Sequence, residues 1–311
     1  MTRQLAIKNL AASIRSVLSG TWSSGYARAS DLVARLRGRS GGPVSFPEAI
    51  DPPAETQSPA IVAAMASGEQ VSAPASVPEG VIVYAVGDVH GRADLLKTLI
   101  EKIKADAQAS EGVPHLVMLG DYVDRGFQSR QVIDLLMSDT LSGFETDFIK
   151  GNHEAAMLKF YENVEHGPEW ANYGGRETLV SYGVRPPRSL SLNDEWRTAH
   201  DEFLERLPAD HLHFLRSLEL SVRIGDYGFA HAGMKPGRLF GEQEEYDLLW
   251  IREEFLRADA REDVIVVHGH TPVDDAYSDN RRINVDTGAY FSGRLTAVRL
   301  EKDQMSFLKT R

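Results

Sequence analysis

From residue 81 onward, the apolar positions switch between two patterns. Residues 81–86 (Val-Ile-Val-Tyr-Ala-Val) form an unbroken apolar run, as in a strand buried on both faces. Residues 92–105 then place Leu95, Leu96, Leu99, Ile100 and Ile103 at helical spacing. The alternation repeats with a strand at 116–119, a helix at 129–137, a strand closing at 148–150 and a helix over 154–161. Later strands are predicted at 220–224, 227–231, 264–267, 282–285 and 295–300, with helices around 196–207, 211–218 and 248–256. The first half therefore reads as βαβαβ and the second as strands with intervening helices, an α/β (α+β) class.

The pattern changes upstream of Val81, and three segments follow. Residues 1–42 form a basic segment in which Ile7, Leu10, Ile14, Val17 and Leu18 share helical spacing. Such a stripe suits a helix that lies on a membrane surface or a partner, and equally a short helix packed on its own domain. Lys8 and Arg15 interrupt any secretory signal core, while the Arg-rich, acid-poor start also resembles an organelle transit peptide. Residues 43–80 are rich in Pro, Ser and Ala and read as a linker, with a brief helical turn at 61–65. Residues 81–311 are the candidate catalytic domain.

Charge follows the same division. Residues 1–42 carry seven Lys/Arg against Asp31, residues 43–80 carry five acids and no Lys/Arg, and the rest has a net charge of −12. A domain this acidic is poorly suited to general nucleic-acid binding, which needs cationic neutralisation of phosphates. The 311 residues contain no cysteine, so thiolate chemistry is excluded and any metal must be held by N and O ligands. Absence of cysteine fits a reducing compartment, here expected to be cytoplasmic. No apolar run reaches the roughly 20 residues of a transmembrane helix.

The candidate chemistry lies where strands end. Gly87-Asp-Val-His-Gly91, Gly120-Asp-Tyr-Val-Asp-Arg-Gly126 and Gly151-Asn-His-Glu154 each follow a strand and precede a helix. The intervals between Asp88, Asp121 and Asn152 are 33 and 31 residues, the length of a βα unit returning to a parallel strand. One crevice at adjacent strand ends would then receive all three runs. His231 and His270 stand at further strand ends, in Phe-Ala-His-Ala-Gly and Val-Val-His-Gly-His-Thr-Pro. Asp88, His90, Asp121, Asn152, His231 and His270 together make six N/O donors, enough for two bridged metals. Singly, Asp88 or Asn152 would read as a helix cap.

With these five runs in this order, the domain resembles the calcineurin-like metallophosphoesterase superfamily. Within it, the runs resemble the phosphoprotein phosphatase (PPP-type serine/threonine) branch in its bacterial form. The resemblance spans 81 to about 300. It implies two mixed β-sheets in a central sandwich flanked by helices. It also implies two divalent metal ions, manganese first, with iron or zinc as alternatives. Asp88, His90 and Asp121 would hold the first metal, and Asp121, Asn152, His231 and His270 the second. A water or hydroxide shared by the metals would attack phosphorus directly. His153 would protonate the leaving group, with Asp124 positioning it. Arg125 would bind phosphate oxygens, together with Arg252, Asn152 and Tyr290. Arg252 also reads as an ion-pair partner within its helix.

Other polar residues are assigned lesser tasks. His268 is expected to be a neighbour of His270 rather than a ligand, and Asn284 and Asp286 to be turn residues. The Gly-rich stretch 172–176 reads either as part of a substrate-facing lobe or as a plain turn. The implied enzyme is a phosphoprotein phosphatase acting on phosphoserine or phosphothreonine, with phosphotyrosine as a further class. The alternative is a bis(5'-nucleosyl)-tetraphosphatase, a dinucleoside polyphosphate hydrolase. A non-catalytic scaffold docking partners through residues 1–80 is the third reading.

Overall fold

Apolar strands arranged as two stacked sheets organise the chain. The computed structural model describes residues 74–259 and 262–311. The basic segment 1–42 with the helix expected in it, and the turn expected at 61–65, lie outside the described residues.

The first sheet contains β1 (Val81–Val86), β2 (Val113–Met118), β3 (Glu145–Phe148), β9 (Thr296–Glu301) and β10 (Gln304–Lys309), in the order β10-β9-β1-β2-β3. β1, β2 and β3 run parallel, while β9 and β10 complete it antiparallel. The second contains β4 (Ser221–Ile224), β5 (Tyr227–Ala230), β6 (Ile265–His268), β7 (Tyr277–Ser278) and β8 (Arg282–Asn284), in the order β4-β5-β6-β8-β7. β5, β6 and β8 are parallel.

The period-2 geometry of β1 explains why it is apolar throughout. Val83 and Ala85 enter the layer between the sheets, with Phe229, Val267, Ile283 and Val298. Ile82, Tyr84 and Val86 point to the opposite face, where they meet the helices. There α1 (Ala93–Gln108) buries Leu96, Leu99, Ile100 and Ile103, one stripe at 3.6 spacing. α2 (Ser129–Leu136) and α3 (Asn152–Glu162) add Val132, Ile133, Met157 and Phe160 to the same layer. α4 (Gly167–Asn172), α5 (Gly175–Ser181), α6 (Asp194–Arg206) and α7 (Ala209–Ser217) follow. On the outer face of the second sheet lie α8 (Glu245–Trp250) and α9 (Glu253–Leu256), with α10 (Ala289–Ser292) before β9.

Three differences from the sequence reading have physical causes. The expected helix at 248–256 is broken between α8 and α9, because Arg252 takes φ −136° and ψ −95°. α4 and α5 were not anticipated; their glycines are required by contact rather than by a turn. A Cβ on Gly175 would run into the Trp170 indole, and one on Gly167 into that of Trp196. Residues 74–80, assigned to the linker 43–80, pack against the sheets. Ser76 N–H donates to Asp226 at 2.9 Å, Val77 N–H donates to Lys302 O at 3.0 Å, and Val77 is only 4% exposed. An extended Pro-containing chain is compatible with this crossing of strand ends.

Phe229 is fully buried between the sheets. Phe229→Ala is expected to cost about 3–5 kcal/mol in urea unfolding; a loss below about 1 kcal/mol would contradict its placement in the inter-sheet layer.

Candidate metal centre

The parallel strands β1, β2 and β3 bring three loops to one sheet edge. Asp88 and His90 follow β1, Asp121 follows β2, and Asn152 and His153 open α3. β5 and β6 bring His231 and His270 to the same place. All seven are at most 5% exposed.

The backbone here is held in a conformation that ordinary residues avoid. Six non-glycine described residues have positive φ, and five of them are His90, Asp121, Asp124, Arg125 and His270. Such strain persists only where surrounding structure enforces it. One source is the crossing of the first two loops: Gly91 and Gly126 lie backbone to backbone, where a Cβ on either would strike the other. Gly91 N–H donates to Tyr122 O at 2.9 Å, and both Val89 and His90 N–H donate to Asp121 O at 3.1 and 2.8 Å.

A second source is Glu154. Its Oε2 accepts N–H groups from Asp121 at 2.9 Å and Gly151 at 2.8 Å; its Oε1 accepts those of Tyr122 at 2.8 Å and Val123 at 3.2 Å. One fully buried carboxylate thus binds the second loop to the third. Burial pushes its pKa up to about 7, against the N–H groups of Gly151, Val123 and Tyr122.

Asp121 is the point of convergence. Its Oδ2 lies 3.4 Å from His231 Nε2, 3.5 Å from His90 Nε2 and 3.7 Å from His153 Nε2, while its Oδ1 accepts His153 N–H at 3.1 Å. Asn152 Oδ1 and His270 Nδ1 lie 2.9 and 3.1 Å from the same His231 Nε2. Asp88 lies on the rim of the cluster, 3.9 Å from His90 Nε2, and its carboxylate accepts the His270 backbone N–H.

This donor set fits metal ions. His90 Nδ1 and His231 Nδ1 each lie 3.0 Å from a backbone carbonyl, of Val123 and Leu119, and the N–H therefore belongs on those atoms. Both Nε2 lone pairs then face the Asp121 carboxylate, an arrangement that a cation between them resolves. Two groups of donors, His90–Asp121–His153 and Asp121–His231–His270, each lie within 4.8 Å of one another and share Asp121. His270 Nε2 is buried with no hydrogen-bond partner among the described residues. Burial, then the charges of Asp286 and Asp121, raises Asp88; burial, then Glu154, raises Asp121. Burial lowers His90, His153, His231 and His270, leaving neutral imidazoles suited to ligation.

Beside the cluster, His153 Nδ1 is 2.8 Å from Asp124 Oδ2. Asp124 also accepts from Trp170 Nε1 at 2.9 Å and Thr178 Oγ1 at 2.7 Å, and burial still raises it to about 8. Arg125 Nη1 lies 3.1 Å from His90 Nε2, and its guanidinium stacks 4.8 Å from the Tyr290 ring centroid. Tyr290 in turn stands edge-on to His90 at 5.5 Å. Arg252 is exposed and acts on the centre through its field, which lowers His153, His231 and His270 after the larger effect of burial.

Glu154, Trp170 and Thr178 were not assigned a task from sequence. The glutamate closes the Gly151-Asn-His-Glu154 run, a signal that could have identified it; the partners of Asp124 lie 46 and 54 residues away and carried no such mark. His268 is outside both donor groups, fully buried and edge-on to Phe255 at 5.0 Å. Asn284 Nδ2 donates to Thr271 O at 2.9 Å, beside His270, and Asp286 accepts Gly288 N–H at 2.9 Å.

Glu154→Gln replaces one acceptor oxygen by an amide NH2 facing backbone donors. It is expected to weaken binding of added divalent manganese about 10–100-fold in calorimetric titration, with far-UV dichroism unchanged. Wild-type affinity in that variant would contradict the clamp.

The calcineurin-like phosphoesterase family model matches residues 82–303. A relative from Oceanobacillus iheyensis, named as the asymmetrical bis(5'-nucleosyl)-tetraphosphatase PrpE, is 30% identical over 246 residues, covering 71% of this chain and 90% of its own. Another of that name, from Anoxybacillus flavithermus, is 26% identical over 236 residues, covering 69% and 88%. A solved structure provisionally described as a diadenosine tetraphosphatase aligns over 76% of this chain and 98% of its own, at 21% identity and a TM-score of 0.52, a likeness of fold. The matched span runs from the second residue of β1 to the turn between β9 and β10 and encloses every donor named above. The chain therefore belongs to the calcineurin-like phosphoesterase family and is a phosphoester-hydrolysing enzyme.

Proposed function

We propose that this enzyme hydrolyses the polyphosphate bridge of dinucleoside tetraphosphates asymmetrically. The observation that carries this choice is the similarity to relatives named for that activity, over about 70% of the chain and nearly 90% of theirs. The strand-end motifs specify the reacting centre and not what is attached to phosphorus. They therefore support a phosphoprotein substrate no better than a nucleotide one.

Asp88, His90 and Asp121 would hold one divalent ion, and Asp121, Asn152, His231 and His270 the other. Such ions supply positive charge against phosphate oxygens and a water acidic enough to act as nucleophile near neutral pH. Arg125 and Arg252 bind and orient the phosphate chain, with Arg125 held in place by Tyr290. In the reaction, the oxygen of water bonds to a nucleoside-linked phosphorus and the bond to the bridging oxygen breaks. A nucleoside monophosphate and a nucleoside triphosphate leave.

His153 Nε2 faces the centre, and Asp124 on Nδ1 fixes its orientation. Burial, Arg125 and Arg252 disfavour the imidazolium in the free enzyme. A polyanionic substrate between the two arginines offsets their charge and favours protonation, so His153 can donate to the leaving oxygen. A polyphosphate leaving group needs that proton far less than an alkoxide does.

The test is a panel of purified enzyme with manganese on diadenosine tetraphosphate and on a phosphoserine peptide. Higher kcat/KM on the dinucleotide is expected, and strong preference for the peptide would overturn the reading. His153→Asn is expected to lower kcat on the peptide by roughly 10²–10⁴-fold and on the dinucleotide by less than about 10². Equal losses would exclude a proton-donor role tuned to the leaving group.

A further inference from the structure

A shallow cleft runs along α3 and is lined by Lys159, His166, Glu169, Trp170, Tyr173 and Trp250. None of these is a metal donor. The cleft starts at the reacting centre: the Tyr173 ring stands 5.9 Å from that of His153, and the Trp250 ring 6.4 Å from that of His270. Tyr173 and Trp250 are themselves 5.9 Å apart and tilted by 55°, forming an angled aromatic wall. Both are half-buried, so their faces are partly available. Trp170 lies at the base, fixed by its bond to Asp124. The outer rim is polar, with exposed Lys159 and Glu169 and half-buried His166.

We propose that this cleft is a nucleobase subsite, in which the base stacks on the Tyr173–Trp250 wall and its polar edge meets Glu169, His166 and Lys159. The inference rests on the dinucleoside polyphosphate reading and adds to it the surface that recognises the nucleoside. Two half-buried rings inclined at 55° beside a phosphate centre offer one face for stacking and a second for an edge contact, which suits a planar heterocycle of any kind, since every base has a π-face. The rim offers a carboxylate for exocyclic N–H donors and two cationic or donor groups for ring nitrogens and carbonyls. Glu169 sits beside the Tyr173 hydroxyl, so rim and wall are linked.

The test compares wild type, Trp250→Leu, Tyr173→Leu and Trp250→Phe, with manganese, on diadenosine tetraphosphate and on p-nitrophenyl phosphate, which carries no nucleobase. For each Leu variant, KM for the dinucleotide is expected to rise about tenfold with kcat within about twofold, and Trp250→Phe to restore most of the affinity. KM for p-nitrophenyl phosphate is expected to change less than about threefold. Equal losses on both substrates, or a fall in kcat rather than a rise in KM, would show that the wall shapes the centre and would overturn the subsite. Unchanged KM on both would overturn it too. If the wild-type enzyme cleaves p-nitrophenyl phosphate but not the dinucleotide, the functional reading fails first and the subsite with it.

Discussion

Two oxygens of one buried carboxylate collect four backbone N–H groups from two loops that are far apart in sequence. This is Glu154, and the rest of the centre depends on it. The loop after β2 must turn through positive φ at Asp121 to send its carboxylate back over the sheet edge. Left alone, that loop would relax. Glu154 satisfies the N–H groups of Asp121, Tyr122 and Val123, which would otherwise be buried without partners. The same carboxylate caps α3, so the clamp also sets where Asn152 and His153 stand. Asp121 is thereby placed where three imidazole nitrogens lie within 3.7 Å of one oxygen.

The imidazoles are oriented from behind by similar means. Carbonyls of Val123 and Leu119 take the Nδ1 protons of His90 and His231, and Asp124 takes that of His153. Each ring then presents Nε2 inward. This division of labour explains why these three buried rings are tolerated: each has one partner in the protein and one atom facing the centre. Beyond it, aromatic side chains line the approach, with Tyr290 against His90 and Tyr173 against His153.

Much of this was readable from the sequence, for reasons that differ by element. β1 is legible because both its faces are buried, which leaves no polar position in the run. β10 was missed because it is a half-exposed edge strand in which Gln304, Ser306 and Lys309 dilute the apolar pattern. α4 and α5 were hidden by glycines whose purpose, contact with Trp170 and Trp196, is visible only in three dimensions. The candidate metal donors stood out in the sequence because strand ends and glycine turns flank them, and the fold brings them together. Trp170 and Thr178 did not, because their only mark is a contact with Asp124 from across the fold. The substrate was least legible of all: the motifs describe chemistry at phosphorus and not the surfaces beyond it, among which the Tyr173–Trp250 wall is the proposed recognition surface.

The central claim is that Asp121 is shared between two cation sites. The most direct measurement is the number of divalent manganese ions bound per chain, by calorimetry with elemental analysis, in wild type and in Asp121→Asn. Two ions are expected for wild type, with loss of high-affinity binding at both sites in the variant. A single ion in wild type, or two ions bound with unchanged affinity in Asp121→Asn, would contradict that claim.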